Sequence, residues 1–256
     1  MSQHNCKILS FANQKGGVGK TTSAVNIAAS LGALGKKVLL ADLDPQGNAT
    51  SGAGVEKKRE YTAYELIMGE NPYECIVNSE YENLDVIPAN ISLAGSELEL
   101  VDAENRQYRV KNALDMLRDD YDYIIVDCPP SLGLLTINAL SAADGVIVPM
   151  QCEYFALEGL SQLTVTISQI KKLYNPRLEL SGVIITMYDG RLNLTMQVLE
   201  EIKKHFPNEL FSTPVPRNVR LSEAPSFGMP ALYFDKHSKG ANAYLEIAKE
   251  LIEKTK

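Results

Sequence analysis

The sequence predicts an α/β chain built on a doubly wound, mostly parallel sheet with helices on both faces. Strand-like and helix-like segments alternate along all 256 residues. The strand-like segments are continuous Val/Ile/Leu runs, as expected for strands covered on both sides. The glycine-rich and carboxylate-bearing boxes fall just after these runs, at the carboxyl ends of strands, where open α/β sheets bind their ligands.

The elements follow in order. Residues 8–12 (Ile-Leu-Ser-Phe-Ala) read as the first strand. A helix follows, with Ala24, Ile27, Ala28 and Leu31 on one face. Further strands are predicted at 38–42, 84–88, 123–127, 145–149 and 182–186, and helices at 93–100, 110–117, 157–173, 194–205 and 241–254. No internal repeat or low-complexity tract interrupts the alternation, and residues 1–256 are expected to form a single domain. Residues 52–79 carry no clear periodicity, and the charge run Glu56-Lys57-Lys58-Arg59-Glu60 reads as a solvated loop.

Composition excludes several classes. Apolar residues make up 45% and charged residues 22%, ordinary values for a globular protein. No apolar run approaches the ~20 residues of a membrane span, and the first residues lack the apolar core of a secretory signal. A cytoplasmic location is expected. Cys6, Cys75, Cys128 and Cys152 show no paired metal spacing and read as reduced thiols. The net charge of −7, from 32 acidic and 25 basic residues, argues against a uniformly basic surface. It leaves room for a local basic patch, because affinity for a phosphate backbone follows the local field.

The stretch Lys15-Gly16-Gly17-Val18-Gly19-Lys20-Thr21-Thr22 lies between the first strand and the first helix. Glycines there let the backbone wrap an anion closely with its N–H groups inward, and the helix N-terminus adds partial positive charge. Lys20 is placed to reach the outer phosphates of a nucleotide and the Thr21 hydroxyl to ligate Mg²⁺. The ordinary phosphate-loop pattern has glycine where this chain has Gln14, and this loop opens on a second lysine, Lys15. Two lysines on one short loop repel unless a multiply charged anion lies between or beside them. Asp44 follows a strand end and precedes Pro45, Gln46 and Gly47, so the backbone leaves the sheet there. Asp127 closes another buried strand, where a carboxylate is costly unless compensated. Asp42 reads as supporting structure or as part of a metal shell.

Residues 15–22 resemble the deviant Walker A box of the ParA/MinD group of P-loop NTPases. Asp42-Leu43-Asp44-Pro45-Gln46-Gly47-Asn48 and Asp127-Cys128-Pro129-Pro130-Ser131 resemble that group's next two boxes. Pro216-Arg217-Asn218-Val219-Arg220-Leu221-Ser222-Glu223-Ala224-Pro225-Ser226 narrows the resemblance to the chromosomal ParA, or Soj, branch. The resemblance runs from about residue 7 to about residue 250.

It implies an ATPase that works as a chromosome or plasmid partition switch. ATP with Mg²⁺ joins two copies face to face, the dimer binds double-stranded DNA without sequence preference, and hydrolysis stimulated by a ParB-type centromere-binding partner releases it. An influence on replication or sporulation control is a further implication. Residue by residue, Lys15 crosses the dimer interface to the partner's phosphates, Lys20 and the loop 16–22 hold the nucleotide, and Asp44 orients the attacking water. Thr21 and Asp127 hold Mg²⁺, the latter through water. Met187, Pro214, Pro216 and Asn218 bracket adenine, with Met187 equally readable as packing only. Arg191 and Arg220 contact DNA, which makes the protein nucleoid-associated; Arg217, in the same loop as Arg220, is a further candidate by its position and not by the resemblance. A MinD-like membrane-positioning ATPase is the alternative; it needs a C-terminal amphipathic helix with a basic face, and the tail instead mixes acids with lysines. An iron–sulfur ATPase of the same superfamily needs converging cysteines, and Cys128 and Cys152 lack a close-spaced pair.

Overall fold

The computed structural model describes residues 6–256. One seven-stranded sheet runs through it in the order β3-β4-β2-β5-β1-β6-β7. The strands are β1 (Lys7–Phe11), β2 (Val38–Asp42), β3 (Val77–Asn78), β4 (Leu84–Ile87), β5 (Tyr123–Asp127), β6 (Gly145–Gln151) and β7 (Glu179–Thr186). All neighbours pair in parallel except β3, which runs antiparallel to β4 at the edge. The doubly wound expectation therefore holds. β3 escaped the sequence reading because two residues in a polar stretch carry no period.

The helices are α1 (Lys20–Ala33), α2 (Asn48–Gly52), α3 (Ala63–Met68), α4 (Leu93–Glu99), α5 (Arg109–Leu117), α6 (Leu134–Ala142), α7 (Ala156–Leu173), α8 (Asn193–His205), α9 (Val219–Glu223), α10 (Ala231–Phe234) and α11 (Lys239–Lys254). The five long downstream helices lie within two residues of their predicted bounds. α6 was not anticipated, because seven of its nine residues are buried and an all-round buried helix has no amphipathic stripe to read.

The alternation of side chains along β1 shows how the sheet divides its core. Ile8 and Ala12 join the apolar layer that holds Leu39, Leu114, Leu140 and Leu163. Leu9 and Phe11 join the opposite layer with Ile27, Leu31, Tyr244 and Leu251. α1 packs on α11 in that second layer. The apolar face of α11, including Tyr244, Ile247, Ala248 and Leu251, is thereby buried. Among the described residues no helix is long and apolar enough to cross a membrane.

Strand order reverses direction at β1, which lies between β5 and β6. Such a switch point leaves a crevice at the carboxyl ends of the strands. Register brings the end of β1 beside Asp127, since Phe11 pairs with Asp127. Asp127 in turn pairs with Asp42 at the end of β2. Three strand ends thus deliver the glycine loop and two carboxylates to one place.

Candidate active site

The loop from residue 12 to 19 is held from behind. The Asn13 amide donates to the Pro149 carbonyl (2.9 Å), and its Oδ1 accepts the Lys15 N–H (3.0 Å). The Gln151 amide donates to the Gly17 carbonyl (2.9 Å). The Thr186 hydroxyl lies 2.7 Å from the Val18 carbonyl. With its carbonyls tied to β6 and β7, the loop is left to present N–H groups outward. Gly17 and Gly19 adopt positive φ of 71° and 87°, a region that side-chain-bearing residues avoid. A side chain at Gly16 or Gly17 would project into open space rather than into protein. Asn13, Gln151 and Thr186 were not singled out as loop anchors from the sequence, because each partner lies more than a hundred residues away.

Lys20 opens α1 and is only 7% exposed. Its ammonium donates to the Lys15 carbonyl at 3.2 Å. Burial lowers its proton affinity, and the negative charge of Asp127 and Asp44 opposes that shift. Asp127 is fully buried, and among the described residues neither carboxylate oxygen meets hydrogen-bond geometry with a donor. Its proton affinity is pushed well above the carboxylate range, first by burial and then by Asp42; the nearby Thr21 hydroxyl and Lys20 ease it. Asp42 is equally buried but has three donors. Its Oδ2 accepts the Thr50 N–H (2.8 Å) and hydroxyl (2.7 Å), and its Oδ1 accepts the Asp44 N–H (3.1 Å). Burial still raises Asp42, with those bonds pulling the other way. Asp42 thus belongs to the frame, anchoring α2 and the Asp44 turn.

Asp44 is 8% exposed, and its Oδ1 accepts the Gln46 N–H at 3.0 Å. Lys15, by contrast, lies at the rim with its side chain 54% exposed, in an ion pair with Glu153 just before α7. Glu153 is a partner that nothing in the local sequence announced.

Beside the loop is a cavity of about 340 Å³ whose lining includes Gly19, Thr22, Thr186, Met187, Pro216, Arg217, Asn218 and Tyr244. The chain closes it by bridging Tyr188 to Pro216. The Tyr188 N–H donates to the Val215 carbonyl (2.9 Å), and the Val215 N–H donates to the Ile185 carbonyl (2.8 Å). Met187 takes a positive φ of 50° at the end of β7, a conformation uncommon for a side-chain-bearing residue. The Asn218 Oδ1 accepts the Arg220 N–H (2.9 Å) and caps α9, which leaves its amide donor available. Pro214 lines a neighbouring cavity with Ile185, Tyr188 and Phe211 instead.

Of the three arginines, Arg217 lines the 340 Å³ cavity. Arg191 follows β7, is 87% exposed and grips Asp189 through two nitrogens at 2.8 and 2.6 Å. Arg220 sits on α9, paired with Glu223 (2.8 Å) and Asp235 (3.3 Å). The four cysteines are free thiols.

A family model described as an AAA domain matches residues 6–180. The sporulation initiation inhibitor protein Soj of Bacillus subtilis is 55% identical over 247 residues, covering 96% of this chain and 98% of that protein. The chain belongs to the ParA/Soj family of chromosome-partitioning ATPases. The ParA of Caulobacter vibrioides, a chromosome partitioning protein, is 49% identical over 258 residues, covering 99% of this chain and 97% of its own. Among solved structures, cobyrinic acid a,c-diamide synthase from Mycobacterium smegmatis with bound ATP analogue and magnesium is 40% identical. It superposes with a TM-score of 0.84, covering 97% of this chain and 95% of that one.

Within this ParA/Soj frame, the unpartnered Asp127 sets a stability test. A carboxyl whose folded-state pKa is raised weakens the fold once ionised; that penalty is present above the folded pKa and fades as pH falls through it. Asp127→Asn is expected to raise the melting temperature of the nucleotide-free chain at pH 8, on the order of 2–4 °C for each kcal/mol of penalty removed. The gain shrinks toward pH 5. Scanning calorimetry in chelator at both pH values checks it; a lower melting temperature at pH 8 would contradict it.

Proposed function

We propose that the chain is an ATP-driven partition switch that joins two copies around nucleotide, holds DNA without sequence preference while joined, and lets go on hydrolysis. The observation that carries this reading is the placing of buried Lys20 near the unpartnered Asp127 beneath a glycine loop open to solvent. A cationic side chain and orphaned carboxylate oxygens at such a loop fit a metal-bound polyphosphate. Among the described residues no three His, Cys, Asp or Glu side chains form a preformed metal cage. That fits Mg²⁺, which is usually held by one or two carboxylates together with phosphate oxygens and water.

In this reading the amides of residues 16–22 and Lys20 bind the triphosphate, and Thr21 with Asp127 holds Mg²⁺. When bound, the ion neutralises charge that develops on the transferred phosphoryl group. Asp44 orients the attacking water from a turn braced by Asp42. Met187, Pro216 and the free amide donor of Asn218 receive adenine, with Pro214 stiffening the strap behind them. Lys15 leaves Glu153 to reach the phosphates held by the other copy. Its present ion pair is half-exposed, and pairs of that kind contribute little, about 0–1 kcal/mol. Exchange for a triphosphate is therefore favourable.

Arg191 and Arg220 contact the DNA backbone, with Arg217 beside them. Phosphate contact by a few arginines gives weak, salt-sensitive, sequence-independent binding, and joining two copies doubles their number. That reconciles DNA binding with a net charge of −7. The partner that stimulates hydrolysis is a ParB-type centromere-binding protein, and the switch works in the cytoplasm on the nucleoid. A membrane-positioning role is disfavoured because the apolar face of α11 already packs within the chain. The amide-forming activity named for the Mycobacterium structure stays with that protein, since the relatives at 55% and 49% identity are partition proteins.

Three outcomes test the switch. Asp44→Ala is expected to form a stable dimer with ATP and Mg²⁺ but not with ADP, read by size-exclusion chromatography; a monomer under saturating ATP would end the reading. Lys15→Ala keeps ATP binding but loses dimerisation and turnover, and an undiminished ATP-dependent dimer in light scattering would refute the role across the interface. Arg191→Glu loses DNA retention in a gel-shift assay while DNA-free ATP turnover stays within about twofold, since removing a phosphate contact acts on DNA affinity.

A further inference from the structure

We propose that Lys57 is a positioning residue for Asp44, bracing from outside the turn that aims the Asp44 carboxylate; this rests on the ATPase reading above. The Asp44–Gly47 turn is tied from within. Asp42 holds the Asp44 N–H, Asp44 Oδ1 holds the Gln46 N–H, and the Asp44 carbonyl accepts the Gly47 N–H at 2.8 Å. From outside, the Lys57 ammonium donates to the Gln46 carbonyl at 2.5 Å. The Gln46–Gly47 peptide is therefore held at both ends, its N–H by Asp44 and its C=O by Lys57.

The lysine stem takes part as well. Gly47 has φ +62°, and a side-chain carbon there would lie 2.5 Å from the Ala89 carbonyl and 2.9 Å from Lys57 Cε. The loop after β4 and the Lys57 methylenes thus close around the one glycine of the turn. Lys57 is itself anchored, because the Asn90 amide donates to the Lys57 carbonyl at 3.2 Å and Asn90 Oδ1 accepts the Ser92 N–H at 2.9 Å. Within the run from Glu56 to Glu60, Lys57 is half-buried and the other four residues are exposed.

A cation on a carbonyl makes a stronger hydrogen bond than a neutral donor. Without it, the peptide is held at its N–H alone, next to a glycine whose backbone has a wide range open to it, and the turn loosens. Asp44 then keeps its place in sequence but loses its aim. Lys57 bonds to the turn rather than lying among the loop amides, so its loss acts on turnover and not on nucleotide affinity.

The test compares Lys57→Met, Lys57→Arg and Asn90→Ala in the intact chain with ATP, Mg²⁺ and double-stranded DNA. Misplacement of a catalytic group by about 1 Å can cost two orders of magnitude in rate, so loss of one of several braces is expected to lower kcat about tenfold in Lys57→Met. KM for ATP stays within about twofold, and Lys57→Arg recovers most of the turnover. In the nucleotide-free chain, amide hydrogen exchange of residues 43–49 quickens in Lys57→Met while α1 is unchanged. Asn90→Ala shows the same pattern more weakly and carries the test should Lys57→Met fail to fold. Unchanged kcat and unchanged exchange overturn the proposal, as does a KM that rises in step with the fall in kcat. If the unmodified chain turns over no ATP, the ATPase reading fails, and the exchange measurement still decides whether Lys57 braces the turn.

Discussion

Asp42 and Asp127 face each other in the register of neighbouring parallel strands, both sealed from solvent. Two like charges so placed are costly twice over, by lost hydration and by mutual repulsion. The fold resolves the two halves of this problem differently. Asp42 receives three hydrogen-bond donors and becomes a structural hub that carries Asp44 and α2. Asp127 receives none within bonding geometry. One carboxylate is thus committed to the frame, while the other stays short of positive charge, eased by the nearby Thr21 hydroxyl and by Lys20. In the proposed switch this electrostatically incomplete site is the one that takes the cation; complete satisfaction by protein donors would make the strand end more stable and less able to bind.

The same division runs through the glycine loop. Its carbonyls are engaged by Gln151 and Thr186, and the side chain of Asn13 ties it to Pro149 on β6. The Lys15, Gly17 and Val18 carbonyls and the Lys15 N–H have partners in the chain, so the N–H groups further along the loop are the ones left to face the opening. The crevice exists because strand order reverses at β1, so β6 and β7 stand on the far side of the loop from Asp42 and Asp127. Anchors arrive from one side of the switch point and carboxylates from the other.

This explains what could be read from the sequence and what could not. The octapeptide, Asp44 and Asp127 were legible because loop, strand end and carboxylate are adjacent in the chain. So were the long amphipathic helices, whose period declares a buried face. α6 was not, since a helix buried nearly all round has no stripe, and β3 is too short to show any period. Glu153, Gln151 and Asn13 were missed because their meaning lies in contacts across more than 130 residues. Lys57 was concealed differently: it stands in a charge run whose other members are solvated, and only folding selects the one that turns inward. Pro214 shows the limit of reasoning by segment, since it shares a loop with Pro216 yet lines the next cavity.

The outlying cations follow a common rule. Lys15 is paired with Glu153, Arg191 with Asp189, and Arg220 with Glu223 and Asp235, all at half-exposed or exposed positions. Exposed pairs of this kind are weak, enough to hold a side chain in place and too little to retain it against a polyanion. A triphosphate offers more charge and more acceptor oxygens than a carboxylate, and DNA presents its single charges in a dense array, so in the proposed switch each of these pairs is open to exchange. In the proposed switch that makes both gripping steps cheap to enter and cheap to leave. Deep burial of the same cations would tighten each contact and slow its release. A device that must let go after every hydrolysis is better served by weak pairs multiplied across two copies than by one strong pair in each.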